Sequence, residues 1–290
     1  MQMYRAVFSA KNAILIFLAT LGVGACQNIN ELKYNPAISP NDWCQNQPCW
    51  EYNDITISQP SSSIIVYLLA AFTLWAGYRF YKTKADQKSR YWWAITLFLG
   101  GLGAASAGTS FQAFGYMIKC AGQDSCMLSS WWEVVYNILT VAGAGTLLIA
   151  ISYSSMSTIG QKWSKYYAVV STLAYTIACL VGAVLPNAFL VSFDFMIMAT
   201  IPAYIVIVGL HIVQYFKTKE HLVLTFLGCW GLFALTFIAY TFYDAMGYTQ
   251  ELWKKGIWFS ENDVLHVMML IWCAYVYIVL VKSVKDRRTV

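Results

Sequence analysis

Long apolar stretches recur along the whole chain and limit its fold more than any other feature. Seven of them are long enough to cross the hydrocarbon layer of a bilayer, which takes about 20 residues of helix. They lie at residues 62–81, 92–116, 131–153, 166–186, 190–215, 222–245 and 263–282. Charged residues make up only 11% of the 290-residue chain, far below the roughly 25% of soluble domains. The sequence therefore predicts an all-α polytopic membrane protein with a seven-transmembrane-helix bundle.

A shorter apolar segment, NAILIFLATLGVGAC, lies near the N-terminus behind Arg5 and Lys11. Its length and basic flank are typical of the core of a secretory signal peptide. Its last four residues, VGAC, resemble a bacterial lipoprotein box, in which Cys26 would be lipidated and become the new N-terminus. An uncleaved anchor helix is the alternative, so residues 1–26 are interpreted as a signal peptide or an N-terminal anchor.

The rest of the chain divides into three predicted parts. Residues 27–61 are rich in Asn, Pro and Ser and predict an irregular extracytoplasmic cap. Residues 62–282 hold the seven-helix membrane domain, and residues 283–290 form a cytoplasmic tail.

Lysine and arginine are concentrated at one end of the predicted bundle. Thirteen of them fall there: Arg79, Lys82, Lys84, Lys88, Arg90, Lys162, Lys165, Lys217, Lys219, Lys282, Lys285, Arg287 and Arg288. The opposite loops hold Lys33, Lys119, Lys254 and Lys255. Because short loops rich in Lys and Arg stay in the cytoplasm, we expect the cap outside and the C-terminal tail inside. The predicted location is a bacterial inner membrane or a plasma membrane.

The net charge of +5 arises from this basic end. It predicts contact with anionic membrane lipids, and not with nucleic acid.

Five cysteines fall on the predicted outer side: Cys26, Cys44, Cys49, Cys120 and Cys126. Disulfides persist in that compartment. Lipidation of Cys26 would leave four, which pair either as Cys44–Cys49 with Cys120–Cys126 or crosswise between the two loops. Connectivity cannot be read from sequence, so both pairings stay open.

Carboxylates are placed near the outer ends of four different predicted helices, at Glu133, Asp194, Asp244 and Asp263. His266 follows one turn after Asp263 on the same helical face, and the second helix brings Ser110 and Tyr116 to the same depth. A charged residue inside hydrocarbon costs about 2.5–3.5 kcal/mol on insertion scales, so such residues usually face a cavity or one another. We therefore predict that these seven residues line an outward-facing polar pocket.

Helix capping is the alternative interpretation, because acidic residues favour the first turn of a helix. Glu133 and Asp263 both begin helices and fit a cap. Asp244 ends its helix, where the dipole disfavours an acid, and His266 lies deeper than a cap requires. We expect Asp263 and His266 to face the bundle interior, with at least one of the other three acids nearby.

Short motifs in three of the helices invite a comparison with a known family. The second helix carries Ser106 and, four residues later, Ser110; the third begins around Glu133; the seventh carries Asn262 and, four residues later, His266. This pattern resembles the CREST superfamily of seven-helix metal-dependent hydrolases, which includes the alkaline ceramidases and the adiponectin-receptor group. In that family the second helix carries a serine and a histidine, the third an acid, and the seventh an H-x-x-x-H motif.

The resemblance implies a metal-dependent lipid amide hydrolase, with Glu133 as the acid and His266 as the second histidine of the seventh helix. The chain departs from the family at two histidine positions, which hold Ser110 and Asn262. A three-histidine zinc site cannot be built at the outer end, because the other two histidines belong to the cytoplasmic half. A site of Glu133, Asp263 and His266 would instead hold zinc or calcium.

Three functions follow from these features. The leading hypothesis is a non-catalytic membrane protein whose outward-facing pocket binds a small molecule, an ion or a lipid, as a receptor, sensor or transport-related component. The second is a divergent CREST-like hydrolase, and the third is a structural subunit packed against other membrane subunits.

Cysteine labelling tests the predicted orientation. A cysteine placed at Lys84 or Lys217 should stay unlabelled in intact cells by a reagent that cannot cross membranes, because basic loops are retained inside. A cysteine placed in the 247–262 loop should react in the same cells. Labelling of the position of Lys84 or Lys217 from outside would reverse the orientation.

Overall fold

A computed structural model of the protein describes residues 28–287. Within that range, seven helices are long and apolar enough to cross a membrane. They are Pro60–Lys82, Lys88–Ala113, Trp131–Ser155, Thr158–Val184, Phe193–Thr218, His221–Ala245 and Glu261–Ser283, here called the first to seventh helices. The predicted all-α polytopic fold is confirmed. The predicted signal or anchor segment and the lipidation of Cys26 lie outside the described residues.

The apolar runs predict the positions of the helices well, but some helices begin with polar turns that lie outside these runs. The fourth helix begins at Thr158, eight residues before the predicted start of its apolar run. Its first turns carry Lys162 and Lys165, and Ser157 caps it by accepting a hydrogen bond from the Gly160 amide. Helical structure therefore extends beyond the apolar segment at the basic end of the bundle.

The third helix is the centre of the bundle. It packs against the second, fourth and fifth helices, while the first helix packs against the second and the seventh, and the sixth against the seventh. In its most apolar segment 61% of the residues are buried, whereas no other spanning helix exceeds 44%.

Aromatic side chains fill the half of the bundle nearer the basic end. The rings of Phe80, Trp93, Trp230 and Phe226 stack in that order, with successive centroids 5.8, 6.4 and 6.4 Å apart. Fully buried His211 joins them, because its Nδ1 accepts a hydrogen bond from Trp230 Nε1 at 3.0 Å. His211 therefore belongs to this core and not to the cap end of the molecule.

A π turn over Gly108–Ala113 interrupts the second helix near the cap end. The Phe114 amide donates to the Thr109 carbonyl at 3.0 Å, a five-residue step, and the chain then continues as a short helix over Gly115–Lys119. A π turn inserts one residue into a helix and so changes the direction of the side chains around it. A second π turn, Val276–Leu280, lies in the seventh helix.

The cap covers the end of the bundle at which the first, third and seventh helices begin. It consists of a short helix, Pro40–Trp43, and an antiparallel hairpin of Cys49–Tyr52 with Ile55–Ser58, in which Cys49 lies opposite Ser58. Disulfides join Cys44 to Cys49 and Cys120 to Cys126. Of the two pairings that the sequence left open, the structure has the one within each loop. A short helix, Tyr248–Lys254, follows the sixth helix at this end.

The opposite, basic end is closed by residues 284–287 of the predicted tail. Asp286 caps the second helix, because its carboxylate accepts hydrogen bonds from the amides of Lys88 at 2.9 Å and Ser89 at 2.7 Å. The Arg287 amide donates to the Tyr153 carbonyl at 2.9 Å. This part of the tail is therefore held against the second and third helices.

Gly108 permits the close contact between the first and second helices. A Cβ at this position would overlap Val66 Cγ1, so Gly108→Ala should destabilise the protein by about 1–3 kcal/mol, the usual cost of overpacking. Adding Val66→Ala should recover part of the loss. Gly231→Ala is the control, since a Cβ there would meet nothing within 4 Å. Thermal unfolding in detergent measures the effect, and equal midpoints for the two glycine variants would contradict the close contact.

Candidate functional site

Glu133 lies in the first turn of the third helix and is buried, with 4% of its surface exposed. Its Oε1 accepts a hydrogen bond from Ser110 Oγ at 2.8 Å and forms an ion pair with the Lys119 ammonium. Ser110 Oγ also lies 2.6 Å from Ser130 Oγ. The negative charge of Glu133 is therefore neutralised inside the protein.

Lys119 ends the short helix that follows the π turn, and only 1% of its surface is exposed. Its ammonium group also donates to the Leu128 carbonyl at 3.4 Å and lies 5.1 Å from the centre of the Phe111 ring. The disulfide between the neighbouring Cys120 and Cys126 closes the loop that follows Lys119. The ion pair thus ties the loop after the second helix to the third helix.

The sequence prediction placed Lys119 among the few outer basic residues and gave it no role. A usable signal was present, because Lys119 is the only lysine or arginine between Arg90 and Lys162. A single cation that close to an acid at the start of the next helix is a candidate partner for it.

The π turn directs neighbouring hydroxyls towards two different helices. The Thr109 hydroxyl lies 2.9 Å from Tyr67 OH on the first helix, whereas Ser110 contacts Glu133 on the third. Gln112 on the same turn is buried, and its Oε1 has no hydrogen-bond partner in the described part of the chain. The turn therefore concentrates polar groups between these helices at the cap end.

Asp263 lies in the first turn of the seventh helix and is fully buried. Its Oδ2 accepts hydrogen bonds from the Ser260 amide at 2.6 Å, the Ser260 hydroxyl at 3.0 Å and the Ser61 hydroxyl at 3.3 Å. The bond from the Ser260 amide is a helix-capping interaction. Oδ1 is buried and, across residues 28–287, has no partner. The side chain thus caps its helix with one oxygen and leaves the other open.

His266 lies one turn deeper on the same helix and is 8% exposed. Its Nδ1 is buried and also has no hydrogen-bond partner among the described residues. Both side chains are therefore buried, whereas the expected polar pocket around them stays a prediction. Two open polar atoms, a carboxylate oxygen and an imidazole nitrogen, follow each other along one helix.

The remaining predicted pocket residues form no hydrogen bond or ion pair with this pair among residues 28–287. Asp194 and Asp244 are exposed. Tyr116 is half-buried and packs against Trp43 and the Cys120–Cys126 disulfide. Within the described range, no hydrogen bond or ion pair joins Asp263 or His266 to any of the other three acids. The structure therefore shows two separate buried acidic positions at the cap end, Glu133 and Asp263, and its contacts do not assemble one ring of four acids.

The described residues contain no cluster of side chains arranged to bind a metal ion. Among residues 28–287, no group of three or more His, Cys, Asp or Glu side chains is placed to hold a metal ion. Zinc or calcium at Glu133, Asp263 and His266 stays a prediction, and Glu133 would first have to release Lys119.

These features define an integral membrane protein of seven helices, with buried polar residues gathered under a disulfide-bonded cap. The chain belongs to a family of unknown function (DUF6962), whose family model matches residues 62–286. The match covers all seven helices and begins after the hairpin of the cap. No curated protein and no solved structure matches the chain.

Removing one partner of the Lys119–Glu133 pair should destabilise the protein strongly. Lys119→Met or Glu133→Gln alone leaves a buried charge or amide without its partner, and breaking a buried pair in this way costs about 3–5 kcal/mol. The double variant should lose much less than the sum of the two single losses. Unfolding in detergent, followed by circular dichroism, gives the coupling free energy.

Lys254→Met is the matched control, because Lys254 is exposed at the same end. Additive losses in the double variant would mean that the two side chains do not stabilise each other.

Proposed function

We propose that this chain is a non-catalytic membrane protein that binds a small cation at the cap end through Asp263 and His266. It would act as a receptor, a sensor or a transport-related component. One observation carries the proposal: Asp263 is a fully buried carboxylate whose Oδ1 has no partner in the described structure.

The contrast with Glu133 supports a role for Asp263 beyond capping. Both acids begin helices and both are buried, yet Glu133 has the Lys119 ammonium within ion-pair distance. No other ion pair occurs between described residues, so Asp263 has no comparable cation. A buried charge is expensive unless it is paired, and an exogenous cation or a proton would supply the missing charge.

The surroundings of Asp263 offer ligands of a suitable kind. Ser61 and Ser260 place hydroxyl oxygens on the carboxylate, and Ser62 Oγ lies 3.1 Å from Ser260 Oγ. Carboxylate and hydroxyl oxygens are the hard donors that sodium and calcium prefer. His266, one turn deeper, adds a nitrogen on the side of the bundle interior. Inside membrane proteins, Asp and His residues in succession mark ion pathways and proton relays.

Direction of access follows from the predicted orientation. With the basic end in the cytoplasm, the cap end faces outward, and Asp263 lies at the first turn of a helix that enters the membrane from that side. A cation would reach the carboxylate before the imidazole. This order supports a site that samples the outer solution.

A divergent hydrolase of the CREST type is the second candidate. One contact favours it: Ser110, at the position that corresponds to the second-helix histidine, donates to Glu133, which corresponds to the third-helix acid. This contact between the second and third helices supports the second candidate. The Lys119 ion pair opposes a metal at this point, because the ammonium already neutralises the carboxylate.

Cation binding at Asp263 should appear as a rise in thermal stability. Purified protein in lipid nanodiscs is titrated with sodium or calcium chloride at constant ionic strength. A ligand at 100 times its dissociation constant adds about 2.7 kcal/mol to the free energy of unfolding. The rise should disappear in Asp263→Asn and shrink in His266→Gln. It should persist in Asp244→Asn, which removes an exposed acid at the same end.

Zinc content separates the two candidates in the same preparations. Stoichiometric zinc in the wild type that is lost in His266→Ala would favour the hydrolase. A wild type that neither sodium nor calcium stabilises would contradict the cation site.

A further inference from the structure

A cleft of about 210 Å³ opens in the cap, and no residue that hydrogen-bonds Asp263 lines it. Its walls come from the loop and short helix of the cap and from the helix Tyr248–Lys254. Six residues line it: Tyr34, Ile38, Trp43, Asn46, Gln47 and Trp253. Three of them are aromatic, two carry amides and none is charged. Five of the six precede residue 62, where the family match begins, so the cleft is chiefly a feature of the cap.

The walls of the cleft are fixed from several sides. Trp43 is 7% exposed, donates its indole N–H to Ser58 Oγ at 3.0 Å and meets the Tyr34 ring edge to face, with centroids 6.2 Å apart. Cys126 donates its amide to the Ile38 carbonyl at 2.9 Å. The Cys44–Cys49 disulfide closes the loop that holds both amide residues. A ligand entering here would therefore meet a largely preformed surface, which lowers the entropic cost of binding.

The two amides each keep one hydrogen-bonding group for a ligand. Asn46 uses its Nδ2 on the Asp42 carbonyl, which leaves Oδ1 as an acceptor. Gln47 accepts from Gln59 Nε2 through its Oε1, which leaves Nε2 as a donor. An acceptor and a donor on neighbouring residues complement adjacent hydroxyl groups, each of which can donate and accept.

Cations are the other class of ligand that aromatic walls attract. Cations bind to the faces of aromatic rings, but the Lys119 ammonium already lies 6.0 Å from the centre of the Tyr34 ring. Lys254 also directly follows Trp253 in the chain. None of the six lining residues carries a charge that would hold an ion, so a neutral ligand fits better.

We propose that this cleft binds one ring of a neutral carbohydrate. The apolar face of a sugar ring would stack on an indole or phenol ring, while two neighbouring hydroxyls would bond Asn46 Oδ1 and Gln47 Nε2. The cleft is smaller than the roughly 300–1,000 Å³ of pockets for drug-sized ligands, which limits it to a single ring. The site is separate from the proposed cation site and does not depend on it.

The helix that carries Trp253 is bonded to the start of the seventh helix. Thr249 Oγ1 donates to Glu261 Oε2 at 2.5 Å and accepts from the Glu261 amide at 3.0 Å. A sugar held against Trp253 would therefore stabilise the position of this helix relative to the seventh helix.

Saturation-transfer NMR on the full chain tests the proposal. The protein is held in nanodiscs, because the sugar headgroups of common detergents would compete for the cleft. The probes are methyl β-glucopyranoside and N-acetylglucosamine, with tetramethylammonium as the cationic comparison. We expect saturation transfer to the ring protons of at least one sugar, with affinity in the millimolar range. Trp253→Ala should weaken this binding at least tenfold, and Asn46→Ala should also weaken it.

Trp258→Ala is the matched control, because Trp258 is exposed in the same loop and does not line the cleft. The Trp258→Ala variant should bind the sugars with the affinity of the wild type. Asn46 is itself exposed, so its variant reports on binding without removing a buried contact. Absence of transfer to both sugars, equal losses in the two tryptophan variants, or displacement of the sugar by tetramethylammonium would each overturn the proposal.

Discussion

Hydrocarbon offers no hydrogen bonds, and this constraint accounts for most of the structure. Each polar group that a spanning helix carries must find a partner in the protein or lie near water. Threonines within the helices bond back to their own backbone, as Thr96 does to the Trp92 carbonyl. His211 accepts a hydrogen bond from the Trp230 indole N–H. The groups that cannot be treated in this way, carboxylates and an ammonium, lie near the helix ends under the cap.

Two buried acids at that end illustrate two outcomes of the same constraint. Glu133 is matched by a lysine from a neighbouring loop, and the pair joins elements that are distant from the membrane centre. Asp263 receives hydroxyls and an amide but no positive charge. The Glu133 pair stabilises the fold. Asp263, in contrast, is a buried carboxylate whose Oδ1 has neither a cation nor a hydrogen-bond partner among the described residues. Asp263, and not Glu133, is therefore the centre of the proposed function.

Much of the fold could be predicted from the sequence, because an apolar run long enough to span a bilayer has few alternatives to a helix. The position of the acidic residues along the helices could also be predicted, since Glu133, Asp194, Asp244 and Asp263 all lie near helix ends. The direction of their side chains could not. Each residue rotates a helix by about 100°, so an error of one or two residues in phase decides whether an acid faces the interior, as Asp263 does, or stays exposed, as Asp244 does.

The sequence analysis missed features that join distant parts of the chain for a different reason. Lys119 reaches Glu133 from the short helix that follows the π turn of the second helix, and no apolar periodicity encodes that turn. The disulfide pairing was left open on the same ground, because Cys44 and Cys120 occupy loops whose relative position depends on the whole cap. The hypothesis of four converging acids failed to anticipate a lysine as the partner of one of them.

The cap that Asp286 places on the second helix has a consequence for the biogenesis of the protein. The amides of Lys88 and Ser89 emerge from the ribosome early, whereas Asp286 is translated only after the seventh helix. During most of synthesis the basic end of the second helix must therefore rely on water or lipid headgroups for its hydrogen bonds. Closure of that end is a late event, and a nascent chain halted before residue 286 would lack the two hydrogen bonds that cap the second helix.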